Sequence, residues 1–145
     1  PNDEMLLFVK DHDLESRVLF VSNPSDLSVQ ALYSLARCLL FPSFEEGYGW
    51  PIVEAQAYGC RVLASDIEPM NEIGGNAVEY FSPPQKGDAD ERWSNDVASV
   101  LAKVWGENED EINLRRQISK KHIEGLSLSQ FSKSLSRIYE KLIRN

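Results

Sequence analysis

The segment Phe41-Pro-Ser-Phe-Glu-Glu-Gly-Tyr-Gly-Trp-Pro-Ile-Val-Glu-Ala-Gln-Ala-Tyr-Gly59 decides the fold that we predict for this chain. Phe41 closes an apolar run, a loop with two glycines follows, and Pro51 suits the first turn of a helix, where a missing N–H is no loss. A strand end, a glycine-rich loop and a helix start therefore follow one another. The unpaired N–H groups and the dipole of such a helix start favour a bound phosphate.

The surrounding sequence alternates between short apolar segments and helical patterns. Four segments are short, apolar and rich in β-forming residues, which predicts strands at Arg17–Ser22, Cys38–Phe41, Arg61–Ser65 and Val78–Phe81. Helical spacing predicts helices that end near His12, that start at Ser25 or Asp26 as a cap, and that run from Pro51 to about Tyr58. This alternation predicts an α/β fold with a Rossmann-like parallel sheet flanked by helices. Ligands of such sheets bind beyond the carboxyl ends of the strands.

The chain becomes helical after Pro83-Pro84. An apolar stripe from Trp93 to Trp105 predicts a surface helix, and two further helical segments span roughly residues 110–124 and 128–143. Asp88-Ala-Asp90 precedes the first of these helices and is predicted to cap it. We predict one domain over residues 1–145, with residues 87–145 as its helical tail.

Composition excludes several classes of partner. The chain has 145 residues, 42% of them hydrophobic, and a formal net charge of -8. Nucleic acids and anionic membrane surfaces recruit basic proteins, so neither is expected to bind here. No stretch is long and apolar enough to cross a membrane. We therefore expect a soluble protein that holds any bound anion through local groups.

Cysteine and histidine usage gives no sign of a metal site. Cys38 and Cys60 lie in apolar contexts without metal-ligand spacing, which favours two buried free thiols in a reducing compartment. His12 and His122 have no second ligand at a suitable spacing. We predict no bound metal.

Two glutamates in the opening segment have distinct interpretations. Glu46 lies in the loop and Glu54 in the helix that follows it. A carboxylate beside a phosphate would oppose like charges, whereas the two hydroxyl groups of a ribose are donors that a carboxylate accepts together. On the alternative interpretation, Glu46 is a solvated loop residue and Glu54 only complements its helix dipole. Glu45 has the wrong spacing for a site residue and is expected to face solvent.

The region from Ser43 to Gly59 resembles the signature of the retaining GT-B glycosyltransferases of family 4. In that family a glutamate opens the pattern E-G-[FY]-G-x-P, and a second glutamate follows after seven intervening residues, as Glu46 and Glu54 do here. The resemblance extends over nearly all of Val18 to Pro83, through Leu19-Phe-Val-Ser22, Leu32-Tyr33, Phe41-Pro-Ser43 and Glu72-Ile-Gly-Gly75. It implies the nucleotide-sugar-binding C-terminal half of a GT-B fold, truncated at its N-terminus.

The resemblance also implies roles for individual residues. The first glutamate faces the donor sugar and is the catalytic candidate, the loop amides bind the pyrophosphate and the sugar, and the second glutamate binds ribose. The strand end at Ser22 lies near the nucleotide base, although simple turn chemistry explains Ser22 equally well. These roles fall on Glu46, on Gly47, Tyr48, Gly49 and Trp50, on Glu54 and on Ser22.

Three residues depart from the family pattern. Trp50 stands where leucine is common, Gln56 where methionine is common, and Arg61 where proline is common. A tryptophan at the loop end would reshape the sugar pocket.

The implied activity is transfer of a hexose-type sugar, with retention, from a UDP- or GDP-sugar to a hydroxyl acceptor. No metal or other cofactor is required, and the acceptor is a saccharide or lipid-linked saccharide held by an N-terminal domain that this chain lacks. The implied setting is bacterial surface polysaccharide synthesis in the cytoplasm, compatible with a peripheral position of the full-length enzyme at the inner face of the membrane. One alternative is a non-catalytic nucleotide-sugar-binding or regulatory module. Another is a glycoside hydrolase that uses the glutamate pair.

The same resemblance implies that the opening strands of the sheet are missing. In sheets of this kind they lie between the segment Val18–Val21 and the next strand, Cys38–Phe41. We therefore expect either direct pairing of these two segments or pairing of the exposed edge with another chain, which would give a dimer. The isolated chain is expected to be inactive.

Overall fold

The computed structural model describes residues 1–83 and 91–143. Its helices and strands follow the predicted alternation closely. In chain order they are α1 (Asp3–Asp11), α2 (Asp26–Leu35), β1 (Cys38–Phe41), α3 (Trp50–Ala57), β2 (Arg61–Ser65), α4 (Met70–Gly74), a short 3-10 turn (Gly75–Ala77), β3 (Val78–Phe81), α5 (Glu91–Gly106), α6 (Glu109–Gly125) and α7 (Leu128–Ile143). The predicted cap at Asp88-Ala-Asp90 lies outside the described residues.

The three strands form one parallel sheet in the order β1-β2-β3. Cys38 lies opposite Arg61, and Val62 lies opposite Val78. Parallel neighbours need crossover connections, which α3 provides between β1 and β2, and α4 with the 3-10 turn provides between β2 and β3. The prediction of a Rossmann-like parallel sheet flanked by helices is confirmed.

Two hydrophobic clusters lie on opposite faces of the sheet, because successive side chains of a strand alternate between faces. Val62 and Ala64 pack in the cluster that contains residues of α3 and α4. Leu63 packs on the other face against Val97 and Val104 of α5. Helix α5 therefore shares a core with the strands, while the division of the chain at residue 87 stays a prediction.

The two cysteines are free and belong to different clusters. Cys60 is buried in the cluster with α3, and half-buried Cys38 packs against the cluster with α5. Burial raises the pKa of the Cys60 thiol to about 11, so this thiol stays protonated at neutral pH.

The prediction of a buried strand at Arg17–Ser22 is wrong. This segment is exposed and has no regular structure, and 83% of the surface of Leu19 is accessible to solvent. Direct pairing of Val18–Val21 with Cys38–Phe41 is also not formed, since the described sheet consists of β1, β2 and β3 and the segment belongs to none of them. The apolar, β-branched composition indicated a strand, but a strand forms only where a neighbour accepts its backbone hydrogen bonds. Pairing of the free edge with another chain stays a prediction.

Four charged side chains link α6 to the amino-terminal ends of β2 and β3. Arg61 of β2 and Arg115 of α6 both contact Glu79 of β3, at 3.1 and 2.9 Å. Both arginines also pair with Glu107, which precedes α6, and the contact from Arg115 Nε measures 2.6 Å. The side chains of Arg61 and Glu107 are only 9% and 10% exposed, so solvent screens their attraction weakly. This network gives a structural reason for an arginine where the family pattern has proline.

Replacing Glu107 by glutamine is expected to destabilise the chain by about 1–3 kcal/mol at neutral pH. This is less than the roughly 3–5 kcal/mol lost when a buried charge is left wholly unpaired, because both arginines still contact Glu79. Burial opposes ionisation of Glu107, but hydrogen bonds and charges from Arg61 and Arg115 outweigh it and lower the pKa of this carboxyl. Urea unfolding of the two proteins at neutral pH measures the difference.

The pH dependence of that difference is set by the lowered pKa. The ionised carboxylate stabilises the fold fully above its unfolded pKa, and this contribution is lost as the pH falls through the lower folded value. The stability gap between wild type and Glu107→Gln should therefore shrink in acid. Glu109→Gln is the matched control, since Glu109 is exposed in the first turn of the same helix. A gap that stays constant down to acid unfolding would contradict the role of the ion pairs.

Candidate functional site

The loop between β1 and α3 turns sharply at Gly49. Gly49 is the N-cap of α3 and is buried, with a φ of 88°, a left-handed conformation that side chains other than glycine rarely adopt. Gly47 has open space where a side chain would begin. The loop backbone at Gly47 is therefore accessible to a ligand, and Gly49 directs the chain into the helix.

The backbone donors of this loop have no partner among the described residues. The N–H groups of Gly47, Tyr48 and Gly49 donate no hydrogen bond to any residue in the described ranges 1–83 and 91–143. No side chain caps the start of α3, and Pro51 occupies its first turn. Free amides at the positive end of a helix dipole form a favourable place for an anion.

Glu46 lies half-buried within this loop. The hydroxyl of Ser43 donates to Glu46 Oε1 at 3.3 Å and lies 3.0 Å from the carbonyl oxygen of Glu45. This contact orients the carboxylate of Glu46, whereas the side chain of Glu45 is exposed as expected.

Two exposed aromatic rings flank the glycines. The rings of Tyr48 and Trp50 lie 4.7 Å apart between centroids, tilted by 43°. They remain 38% and 62% exposed, which is unusual for a tryptophan without a partner surface. They provide an apolar flank beside the free amides of the loop.

Glu54 lies in a separate cavity of about 400 Å³ between α2 and α3. A cavity of this size falls within the range of small-molecule sites. The hydroxyl of Tyr33 on α2 donates to Glu54 Oε2 at 3.4 Å, which leaves the other carboxylate oxygen free for a ligand. The cavity is lined by Asp26, Val29, Gln30, Tyr33, Glu54 and Tyr58.

Tyr33 is positioned to stay a hydrogen-bond donor. Burial and the nearby charge and hydrogen bond of Glu54 raise the pKa of the Tyr33 hydroxyl above its usual value near 10. Its ring also stacks with that of Tyr58, at 6.4 Å between centroids and 14° between planes. The phenol is therefore protonated at neutral pH and held beside the carboxylate.

The structure divides the predicted site residues between these two places. Glu46, Gly47, Tyr48, Gly49 and Trp50 form the loop, and Glu54 lines the cavity. Ser22 lies in the exposed segment before α2 and is not among the residues that line the cavity.

Sequence reasoning missed the part that Tyr33 plays in the site and the structural role of Gln56 behind it. Tyr33 lies seven residues after Asp26, so both share one face of α2, and this spacing was the available signal. Gln56 is buried, and its side-chain amide donates to the carbonyl of Gly74 at 3.0 Å. That bond ties α3 to α4 and explains a polar residue where the family pattern has methionine.

The described residues contain neither a metal-binding cluster nor a membrane-spanning helix. No group of three or more His, Cys, Asp or Glu side chains in ranges 1–83 and 91–143 is arranged to hold a metal ion. None of the helices in those ranges combines the length and apolar composition needed to span a membrane.

Curated relatives with similar sequences are sugar transferases. The chain is 33% identical over 92 residues to the O-antigen chain mannosyltransferase RfbU of Salmonella typhimurium, a match over 63% of this chain and 25% of that protein. It is 28% identical over 103 residues to the O-antigen chain mannosyltransferase B of Escherichia coli, over 71% of this chain and 24% of that protein. The chain thus spans about a quarter of the length of these relatives.

Solved structures share the fold. The pneumococcal O-GlcNAc transferase GtfA, in complex with UDP and GlcNAc, matches 100% of this chain and 28% of its own, with a TM-score of 0.72 and 17% identity. Sucrose-phosphate synthase from Thermosynechococcus elongatus matches 97% of this chain and 34% of its own, with a TM-score of 0.68 and 20% identity.

The family model for glycosyl transferases group 1 matches residues 2–124, which include the whole sheet, the glycine loop and the cavity beside Glu54. The chain belongs to the glycosyl transferases group 1 family.

Proposed function

We propose that this chain is the donor-binding domain of a retaining glycosyltransferase. The full protein would move a sugar from a nucleotide diphosphate sugar, a UDP- or GDP-sugar, to a hydroxyl acceptor during surface polysaccharide synthesis. One observation carries the proposal. The loop after β1 has amides with no partner among the described residues, and Glu54, in the helix that follows this loop, lines a cavity. The names of the O-antigen relatives support the setting, and the UDP complex of a structural neighbour supports the type of donor.

Charge determines which part of the donor binds to the loop and which part binds in the cavity beside Glu54. The diphosphate takes the N–H groups of Gly47, Tyr48 and Gly49 because a carboxylate would repel it. The ribose takes Glu54, whose carboxylate accepts hydrogen bonds from the ribose hydroxyl groups beside the one it accepts from Tyr33. Tyr33 holds Glu54 in place for this contact.

Glu46 faces the donor sugar and orients it. Its carboxylate is held by Ser43 at the start of the same loop that supplies the amides. The loop amides and the α3 dipole stabilise the negative charge that develops on the departing diphosphate. The acceptor approaches from the same face as that leaving group, which accounts for retention.

The acceptor belongs to a part of the protein outside this chain. A saccharide or lipid-linked saccharide would be held by a further domain, and the 145-residue chain alone would bind donor without transferring its sugar. The full enzyme would work in the cytoplasm, near the membrane face where surface polysaccharides are assembled. The scheme requires no metal, since cationic side chains of the full protein would add to the amides and the dipole in stabilising the diphosphate.

The role of Glu54 has a direct test in the full-length protein. Glu54→Ala should raise the Kd for the nucleotide diphosphate about ten- to hundredfold, because hydrogen bonds to a charged group contribute about 1.5–3 kcal/mol. Calorimetric titration measures the change. Glu45→Ala, an exposed glutamate of the preceding loop, is the matched control and should bind like wild type. Unchanged affinity for the nucleotide diphosphate in Glu54→Ala would show that Glu54 does not bind the ribose.

Glu46 is expected to affect turnover more than binding. Glu46→Gln keeps the size of the side chain but removes its charge, so the sugar is held in a less productive position. Misplacement of a reacting group lowers kcat roughly 10²-fold. Steady-state transfer rates and donor affinity, measured together on the full-length variant, separate the two effects. Full turnover in this variant would show that Glu46 is a solvated loop residue.

A further inference from the structure

We propose that the cavity beside Glu54 selects guanine, and that the carboxylate of Asp26 recognises the base. The inference rests on the proposed function, because it names the nucleotide of the same donor site. Asp26 lines the cavity together with Glu54, which places a second carboxylate within the space assigned to the nucleoside.

The carboxylate of Asp26 is free to bind a ligand. Ser25 caps α2, because its hydroxyl oxygen accepts a hydrogen bond from the backbone N–H of Ser28 at 3.2 Å. Asp26 is the first residue of the helix and is exposed. Its side chain makes no hydrogen bond or ion pair with any residue of the described parts of the chain. The helix cap therefore does not account for this side chain.

Asp26 and Glu54 line the same cavity from different helices. Asp26, Val29, Gln30 and Tyr33 recur at helical spacing, so they lie along one face of α2. Seven residues separate Asp26 from Tyr33, a rise of about 10 Å along the helix. Asp26 therefore lies about two helical turns before Tyr33, the residue whose hydroxyl contacts Glu54. That span is similar to the reach from ribose hydroxyl groups to the outer edge of a purine.

The hydrogen-bonding edge of guanine fits a carboxylate. Guanine presents two neighbouring donors, N1–H and the N2 amino group, and an ionised carboxylate accepts two parallel hydrogen bonds. Uracil offers a single N–H between two carbonyl oxygens, and these oxygens would face the negative charge. Adenine offers one amino group beside an acceptor nitrogen. Only guanine among these bases satisfies both oxygens of Asp26.

The simplest competing role for Asp26 is to complement the dipole at the start of α2. Asp3 provides a comparison within the same chain, because it is also the first, exposed residue of a helix. Asp3 is absent from the residues that line the cavity. A dipole role would make the two aspartates equivalent, whereas base recognition requires that they differ.

The experiment is calorimetric titration of the full-length protein with GDP, UDP and ADP. We expect GDP to bind about tenfold or more tightly than the other two, since two charge-assisted hydrogen bonds are made only with guanine. Asp26→Asn should lose most of this preference by weakening GDP binding, because the amide replaces one acceptor oxygen with a donor. Asp3→Asn should keep the preference, and Glu54→Ala should weaken all three nucleotides alike.

The outcomes separate this inference from the proposed function. Tighter binding of UDP or ADP than GDP, or an unchanged preference in Asp26→Asn, overturns guanine selection while the donor site stands. Equal losses of the preference for GDP in Asp26→Asn and Asp3→Asn also overturn guanine selection, and they assign Asp26 to the helix dipole. Failure of every nucleotide to bind the full-length protein overturns the proposed function and the inference together.

Discussion

The site depends on one backbone constraint, the left-handed turn at Gly49. A residue with a side chain would strain at this φ of 88°, and any change of direction here would tilt α3 away from the sheet. The same turn adjoins N–H groups that bond to no residue in the described parts of the chain, and it places Glu54 five residues further along, in contact with α2. The packing of Ile52 beneath Gly49 then holds the helix start in position. One glycine therefore fixes the positions of both the loop amides and the nearby carboxylate.

Where hydrophobic pattern and local chemistry agree, the sequence predicts the fold well. The strands Cys38–Phe41 and Arg61–Ser65 are short, apolar and bounded by clear breaks, and both are found at the predicted residues. The segment Arg17–Ser22 has the same local character but is exposed and irregular. The difference is not local, because a strand is stabilised by a hydrogen-bonded neighbour that no property of its own residues reveals. The ion pairs of Arg61 depend in the same way on residues far along the chain.

Spacing reveals the candidate site only in part. Glu46 and Glu54 are recognisable because a loop and the helix that follows it set their separation. Tyr33 and Asp26 are less obvious, since their meaning comes from the packing of α2 against α3. A tyrosine on a helix face is usually read as core, and an aspartate at a helix start as a cap. The structure gives the cap to Ser25 and places the tyrosine hydroxyl on Glu54, which changes both readings.

The loop amides alone provide too little positive charge to hold a diphosphate. The segment between Arg37 and Arg61 contains three glutamates and no lysine or arginine, within a chain of formal net charge -8. Free amides and a helix dipole offset roughly half an elementary charge, well below the charge of a diphosphate. Two arginines close to the sheet, Arg61 and Arg115, are neutralised by Glu79 and Glu107. The proposed transfer therefore requires cationic groups from outside this segment, and the loop contributes direction and shape more than net charge.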